Sequence, residues 1–421
     1  MIQTSSKQVS NRSSLFTVLD IGTSKIVCFI ARPLANGKAE VVGIGHQVSN
    51  GIRNGNIVDM AAVETSIRST VESAEEMAGE NVRDLSLCIS GLVPESKLVS
   101  FDVAISSNQI GDTDLKRAID PTWLHSQQND DRLIIHALPI NYSIDGNSGI
   151  KDPRGMHCGK LGVNMHVITT SIRAVKNITA CVNRCHLDVD SQILGSYAAG
   201  LACLVEDEKE LGVVCLDIGG GTTDIAVFYD GELVYTDAIP LGGTHVTNDI
   251  ARGLSTTLSF AERMKTLYGS VIPSPSDDQE VIKVPLVGEE DDGENSISRS
   301  ILVGIIRPRM EEIYELVRTK LDQSGFGGDE ARRVVLTGGG SQLVGSQELA
   351  AEILNKKVRL GTPDFIKGLP ESVSGPGFSA SVGLIRYVIN QKNNKLLEIS
   401  SNTEDLEGFS GFIKKWFRDN V

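Results

Sequence analysis

Short apolar runs rich in β-branched residues, separated by glycine turns, recur along this chain, with helical spacing between them. Leu15 to Asp20 and Ile26 to Ala31 flank Gly22-Thr23-Ser24, which predicts strand, turn, strand. Val41 to Gly45 reads as a third strand, and Asn50-Gly51 and Asn54-Gly55 as turns. Asp59 is placed to cap a helix running to Ala78, with an inward stripe of Val63, Ile67, Val71, Ala74 and Met77 or Ala78. Leu85 to Ser90 returns as a strand. The same opening reappears at Val213 to Val227, V-V-C-L-D-I-G-G-G-T-T-D-I-A-V, where Gly219, Gly220 and Gly221 form the turn. Glu232 to Pro240 follows as a strand. Leu241-Gly242-Gly243-Thr244 leads into a helix through Val246 and Ile250, and Ser259 to Tyr268 is helical. Ile301 to Leu321 predicts a long helix that Pro308 must kink or start. Arg333 to Thr337 enters Gly338-Gly339-Gly340-Ser341, and Pro376 to Asn390 holds the last domain helix.

The D-I-G-T-S-K of 20–25 and the D-I-G-G-G-T-T-D of 217–224 stand nearly half a chain apart, which suggests a duplicated α/β domain with a ligand between the copies. Between 95 and 175 the pattern changes. Val99 to Ile105, Leu133 to Ile140 and Asn164 to Thr170 are strand-like, Asp114 to Gln128 is a weak helix, and Gly149 to Gly155 is a loop. This segment reads as an inserted subdomain. Ser171 starts a helix to about His186, and Leu194 to Leu204 predicts a small-residue helix crossing between the halves. The expected domains are a first core of 15–94 with 176–207, the insertion, a second core of 208–245 with 309–390, and a small subdomain of 246–308. Residues 1–14 are expected to be disordered, and 270–300, with its acidic run from Gly288 to Glu294, to be a solvated loop.

The glycine turns are the candidate chemistry. Without a Cβ the backbone bends sharply and approaches a ligand closely, and successive N–H groups form a nest for an anion. Asp20 and Asp217 close their strands beside these nests, where a carboxylate and a phosphate together suit Mg²⁺. Thr23, Thr222 and Thr223 add hydroxyls, and Lys25 can reach a phosphate as a point charge. No lysine follows as in G-x-x-x-x-G-K-[ST], and Ile225 to Phe228 continue as a strand, not the helix that a dinucleotide loop opens. Gly242-Gly243 at a helix start is a second expected anion site, its N–H groups being unpaired there. Gly338, Gly339 and Gly340 would let a flat ring lie against the backbone.

Composition narrows the partners. Forty Lys and Arg against 54 Asp and Glu leave a formal charge of −14, which argues against nucleic acid as the main partner. The seven cysteines lack a convincing metal spacing; Cys181, Cys185 and His186 fall in a helix-like stretch and are expected to be buried as small residues. No apolar run approaches the ~18–20 residues of a spanning helix, so membrane contact is expected to be peripheral.

The paired turns with Leu336-Thr337-Gly338-Gly339-Gly340 resemble the two phosphate motifs and the adenosine motif of the actin-like ATPases. Glu262 and Lys265 resemble the pair that flanks adenosine in the heat-shock chaperone members. Over roughly residues 15 to 390, and again at the extreme C-terminus, the chain most closely resembles the FtsA family of bacterial actin-like cell-division proteins. The resemblance implies duplicated actin-like (ribonuclease H-like) domains around an ATP and Mg²⁺ cleft, with the insertion replacing the usual small subdomain. It also implies filament formation, a docking surface near 246–308 for the C-terminal peptide of the tubulin-like FtsZ, recruitment of later division proteins, and a place on the cytoplasmic membrane face at the septum. Many relatives carry a Glu in an E-P-x-A-A pattern that orients the attacking water. Gly195-Ser196-Tyr197-Ala198-Ala199-Gly200 stands here instead, so hydrolysis is expected to be feeble. A sugar or acetate kinase and a pilus-assembly homologue are the alternatives on the same fold.

After a polar stretch, 391–407, read as a linker, Phe409, Phe412, Ile413, Trp416 and Phe417 fall on one helix face, with Lys414, Lys415 and Arg418 on others. An apolar stripe with basic flanks reads as an interfacial anchor to anionic lipid, and a polymer would multiply such weak anchors.

Overall fold

A computed structural model describes residues 15–401 apart from 35–36, 106–108, 120–130, 289–294 and 365. The expected disordered N-terminus, the acidic run, the second half of the weak 114–128 helix and the anchor at 408–421 lie outside the described residues.

The chain opens with strands β1 (Phe16–Ile21), β2 (Lys25–Pro33) and β3 (Ala39–Val48), an antiparallel meander. Helix α1 (Met60–Ala78) covers it: Asp59 accepts the Ala62 N–H at one end, and Gly79, at φ 69°, closes the other in the left-handed region. Strand β4 (Asp84–Ile89) then pairs parallel with β1. Next come β5 (Glu95–Ala104), α2 (Asp112–Ile119), β6 (Arg132–Ile144), β7 (Asn147–Ile150) and β8 (Lys160–Ser171). Their strands form a separate antiparallel sheet in the order β5-β8-β6-β7. Helix α3 (Ile172–Arg184) leads to β9 (Asp188–Leu194), parallel to β4.

Helices α4 (Gly195–Cys203) and α5 (Glu206–Leu211) cross to the second half, which repeats the first. Strands β10 (Val213–Ile218), β11 (Thr223–Tyr229) and β12 (Glu232–Ile239) form its meander. After helices α6 (Gly243–Leu254), α7 (Leu258–Tyr268) and α8 (Arg299–Ser324) come β13 (Arg333–Thr337), α9 (Ser346–Leu354) and β14 (Lys357–Leu360). The first sheet runs β9-β4-β1-β2-β3 and the second β14-β13-β10-β11-β12, with matching strand senses. The duplication expected from two glycine motifs is therefore a duplication of whole sheets. β1 is buried along its entire length, as a central strand covered on both faces must be.

The last helix, α10 (Ser379–Ser401), packs on the first lobe and crosses α4. A Cβ at Gly383 would sit 1.7 Å from the Ala198 carbonyl oxygen, so only glycine permits so close a crossing. One core cluster runs through this crossing, joining Phe29 and Val18 to Val213, Phe228 and Leu384.

Three expectations fail here. Residues 270–300, expected as a solvated loop, pair 281–283 with 296–298 and bury Val271, Ile282 and Val284. Residues 391–401, expected as linker, continue α10; no Gly or Pro interrupts them, and Leu and Lys sustain a helix. Pro308 neither starts nor ends α8. Pro308 and Gly304 are both on the exposed side, so the Gly304 carbonyl that loses its partner faces water, while Leu302, Ile306, Met310 and Ile313 bury the other face.

Candidate nucleotide site

Each meander ends in the same closed turn. The Gly22 N–H donates to the Lys25 carbonyl at 3.0 Å, and the Gly219 N–H to the Thr222 carbonyl at 2.8 Å. The two tips face each other in contact: a Cβ at Gly220 would lie 2.8 Å from the Cβ of Ser24, and one at Gly221 2.6 Å from Thr23 Oγ1. Asp20, Gly22, Thr23, Ser24 and Lys25 from the first turn and Asp217, Gly219, Gly220, Gly221 and Thr222 from the second line a cavity of about 540 Å³. Gly243, Glu262, Lys265, Gly338, Gly339 and Gly340 line it from the second lobe.

The electrostatics at the base of the cavity suit a cation. Burial, then the charge of Asp20, pushes Asp217 up to about 7. Burial, then Asp217, pushes Asp224 up to about 8. Burial also raises Asp20, against the Ser381 hydroxyl that donates to its Oδ2 at 2.8 Å. Lys25 is lowered by burial, and its ammonium sits 3.6 Å from the centroid of the Phe378 ring. Three close carboxylates with one cation among them form a place where added positive charge relieves repulsion. Among the described residues no group of three or more His, Cys, Asp or Glu is placed to hold a metal by itself. Asp20 and Asp217 fit an ion that completes its shell with phosphate and water, as Mg²⁺ usually does.

The second lobe supplies the remaining walls. Lys265 Nζ donates to Glu262 Oε2 at 2.6 Å, to Thr247 Oγ1 at 2.9 Å and to the Gly243 carbonyl at 3.1 Å, fixing α7 against the start of α6. Gly338 holds a φ of 83° and packs on Asp217, whose Oδ1 would be 2.3 Å from an added Cβ. A Cβ at Gly340 would meet Ile218 Cγ2 at 2.5 Å.

Three expected site residues, Gly242, Gly243 and Thr223, have other hydrogen-bonding work. The N–H groups at the start of α6 are not free donors. Gly242 donates to His245 Nδ1 at 3.1 Å, Gly243 to the Gly219 carbonyl at 2.9 Å, and Thr244 to the Gly220 carbonyl at 2.7 Å. They tie the carbonyls of the turn back to the helix, so their role is to shape the turn, and Gly242 is not among the residues lining the cavity. Thr223 is fully buried and donates to the Leu241 carbonyl at 2.9 Å, bracing the same connection.

Sequence reasoning did not count Asp224, Ser90, Ser381, Phe378 and Gly377 as site residues. Asp224 was visible in the motif, but only its pairing opposite Asp217 turns it to the cavity. The segment 377–381 carries no local signal; α10 brings it in from the far end of the chain. Gly195 begins α4 behind Ser90, whose Oγ would be 2.1 Å from a Cβ there, so a carboxylate at this position would displace a cavity-lining residue.

Comparisons with known proteins agree with this architecture. A family model described as "Cell division protein FtsA" matches residues 214–383, and one described as "SHS2 domain inserted in FTSA" matches residues 91–169. The chain is 44% identical over 389 residues to the cell division protein FtsA of Rhizobium meliloti, covering 90% of this chain and 88% of that one. It is 37% identical over 407 residues to that of Pseudomonas aeruginosa, covering 96% and 97%. Among solved structures, one from the PilM-PilN type IV pilus biogenesis complex superposes with a TM-score of 0.62 at 17% identity, covering 90% of this chain and 99% of that one. MreB 5 of Spiroplasma citri bound to AMPPNP gives 0.56 at 14% identity, covering 92% and 99%. At such identities the structural likeness establishes the fold, which is actin-like.

Proposed function

The chain belongs to the FtsA family of cell division proteins, and from that premise we propose that it binds ATP with Mg²⁺ in the cleft, polymerises, and moors the FtsZ ring to the cytoplasmic face of the membrane at the division site. The observation that carries the nucleotide reading is the meeting of the two glycine turns over buried Asp20 and half-buried Asp217 and Lys25. The turns suit the phosphates, the two carboxylates suit the ion, and Gly338 to Gly340 with Glu262 and Lys265 suit the nucleoside. Hydrolysis is slow, because Gly195 offers no carboxylate to orient water and Ser90 fills the space where one would stand.

The membrane part rests on the tail. Among the described residues no helix is long and apolar enough to cross a membrane. Phe409, Phe412, Ile413, Trp416 and Phe417 supply an interfacial stripe, and Lys414, Lys415 and Arg418 add on the order of 1 kcal/mol each toward anionic lipid. The region 246–308 docks the FtsZ C-terminal peptide, and the inserted sheet receives later division proteins. Co-sedimentation with anionic vesicles and Mg-ATP tests the whole. The full chain should pellet and carry FtsZ with it, a chain lacking 408–421 should stay in solution, and Asp217→Ala should lose ATP binding. Undiminished vesicle binding without the tail would remove the anchor from this account.

A further inference from the structure

The inserted sheet belongs to the first lobe by sequence, entering after β4 and returning through α3 to β9, yet it also grips the second lobe. Strand β12 is the edge of the second sheet, so one row of its backbone groups has no strand partner there. His166 on β8 is fully buried, and its Nδ1 lies 2.8 Å from the Leu233 carbonyl of β12. Burial pushes His166 down to about 4, which keeps the ring neutral. A carbonyl only accepts, so Nδ1 carries the proton, and Nε2 accepts from the Ser96 hydroxyl at 2.5 Å. The Thr236 N–H in turn donates to Ser96 Oγ at 3.3 Å. One serine and one histidine thus hold both a donor and an acceptor of the β12 edge.

The same face of the sheet rests on the crossing of α4 and α10. His136 of β6, opposite Ile168, accepts the Leu194 N–H at 3.0 Å just before α4. Its ring stands edge-on to Tyr197 of α4 and Tyr387 of α10, with centroids 5.5 and 6.2 Å away. Ile168 belongs to the core cluster that runs through the crossing, and Leu138 packs against that cluster. From β12 the contacts lead inward. Thr236 gives its own hydroxyl proton to the Ile225 carbonyl at 2.8 Å and accepts from Ser196 of α4 at 2.9 Å, in a buried setting. The neighbouring Gly195 packs on Ser90, which lines the cavity. Farther out, Lys151 pairs with Glu210 of α5 at 2.5 Å, but both side chains are more than half exposed and the pair adds little. A change in the angle between the lobes would move β12 against β8. The bonds of Ser96 and His166 could not all survive it, and polar groups left unpaired in a buried site are costly.

We propose that the inserted sheet is a strap across the two lobes, with Ser96 and His166 as positioning residues that hold the cleft at the angle a nucleotide needs. Nucleotide in the cleft and the seat of the sheet on β12 then strengthen each other, because coupling between two sites acts equally in both directions. A partner that lifted the sheet from β12 would loosen the nucleotide, and one that pressed it down would tighten it. This inference rests on the nucleotide reading above and adds a second control of that site.

The test uses the full chain, with backbone hydrogen exchange followed with and without saturating Mg-ATP and nucleotide affinity measured by titration. In the unaltered chain Mg-ATP should slow exchange at the two glycine turns and also, about tenfold, in β5, β8 and β12, a size usual for coupled sites. Ser96→Ala takes the partner from both His166 Nε2 and the Thr236 N–H. It should weaken ATP binding about fivefold. At saturating Mg-ATP its turns should still be protected while β5, β8 and β12 no longer respond, a pattern that a generally damaged fold does not produce. Mg-ATP that protects the turns of the unaltered chain but leaves β5 and β8 as they were would overturn the strap and leave the nucleotide reading standing. So would a Ser96→Ala chain that binds ATP as tightly as the unaltered one. Protection at neither the turns nor the inserted sheet would overturn both readings.

Discussion

Burial holds the carboxyls of Asp20, Asp217 and Asp224 above their ordinary range, and for Asp217 and Asp224 the charge of a neighbouring carboxylate adds to it. Folded, Asp217 is pushed up to about 7 and Asp224 up to about 8, whereas in the unfolded chain both return to the ordinary carboxylate range near 4. The folded state thus holds protons that the unfolded state has released, and nucleotide-free stability falls as pH rises from about 4 through 8. The melting temperature of the nucleotide-free protein should be lower at pH 8 than at pH 6, and Asp224→Asn should flatten that slope. A flat profile in the unaltered chain would mean that the three groups are not coupled as described. The cation Lys25, held between Asp20 and the Phe378 ring, offsets only part of this repulsion.

At the scale of elements, the crossing of α4 and α10 does most to fix how the lobes meet. Thr337 Oγ1 and Ser379 Oγ, 2.6 Å apart, link the end of β13 to the first turn of α10. Two residues on, Ser381 grips Asp20. One helix start therefore touches both halves of the cleft. At Gly383 the two backbones approach so closely that any side chain must force them apart. Gly383→Val should cost about 3 kcal/mol, the upper range for overpacking a core. It should also weaken ATP binding by re-angling the lobes, as read by calorimetric melting and nucleotide titration on the same sample. Unchanged binding at lowered stability would show that the crossing holds the fold but not the cleft.

At the scale of the molecule, two sheets of matching order place their turns tip to tip, so any ligand that engages both turns ties the lobes together. A ligand that binds only the folded state stabilises it by about 2.7 kcal/mol at a hundredfold excess over its dissociation constant. Mg-ATP at that excess should raise the melting temperature by several degrees, and Lys25→Ala should abolish the shift measured against that variant's own nucleotide-free melt. A shift that survived Lys25→Ala would show that the first turn takes no part in binding.

Much of this was already fixed by local chemistry. Alternating β-branched runs around Gly22 and around Gly219 to Gly221 admit few structures besides hairpins, and Asp59 caps α1 because its short carboxylate reaches the Ala62 N–H three residues on. The repeat of a glycine motif gave the duplication, since a short motif that needs so many small residues seldom recurs by accident. Sequence did not reveal which N–H groups stay free. Those of Gly242, Gly243 and Thr244 are spent within the fold, on His245 and on the turn between β10 and β11, a pairing set by where α6 packs. Nor did it reveal that Ser381 would meet Asp20 across 361 positions, or that α10 would run on to Ser401, into the expected linker. Hairpins and caps are made by near neighbours, whose spacing is written in the chain. The cleft is made by the crossing of α4 and α10, and only packing of the complete core decides that angle.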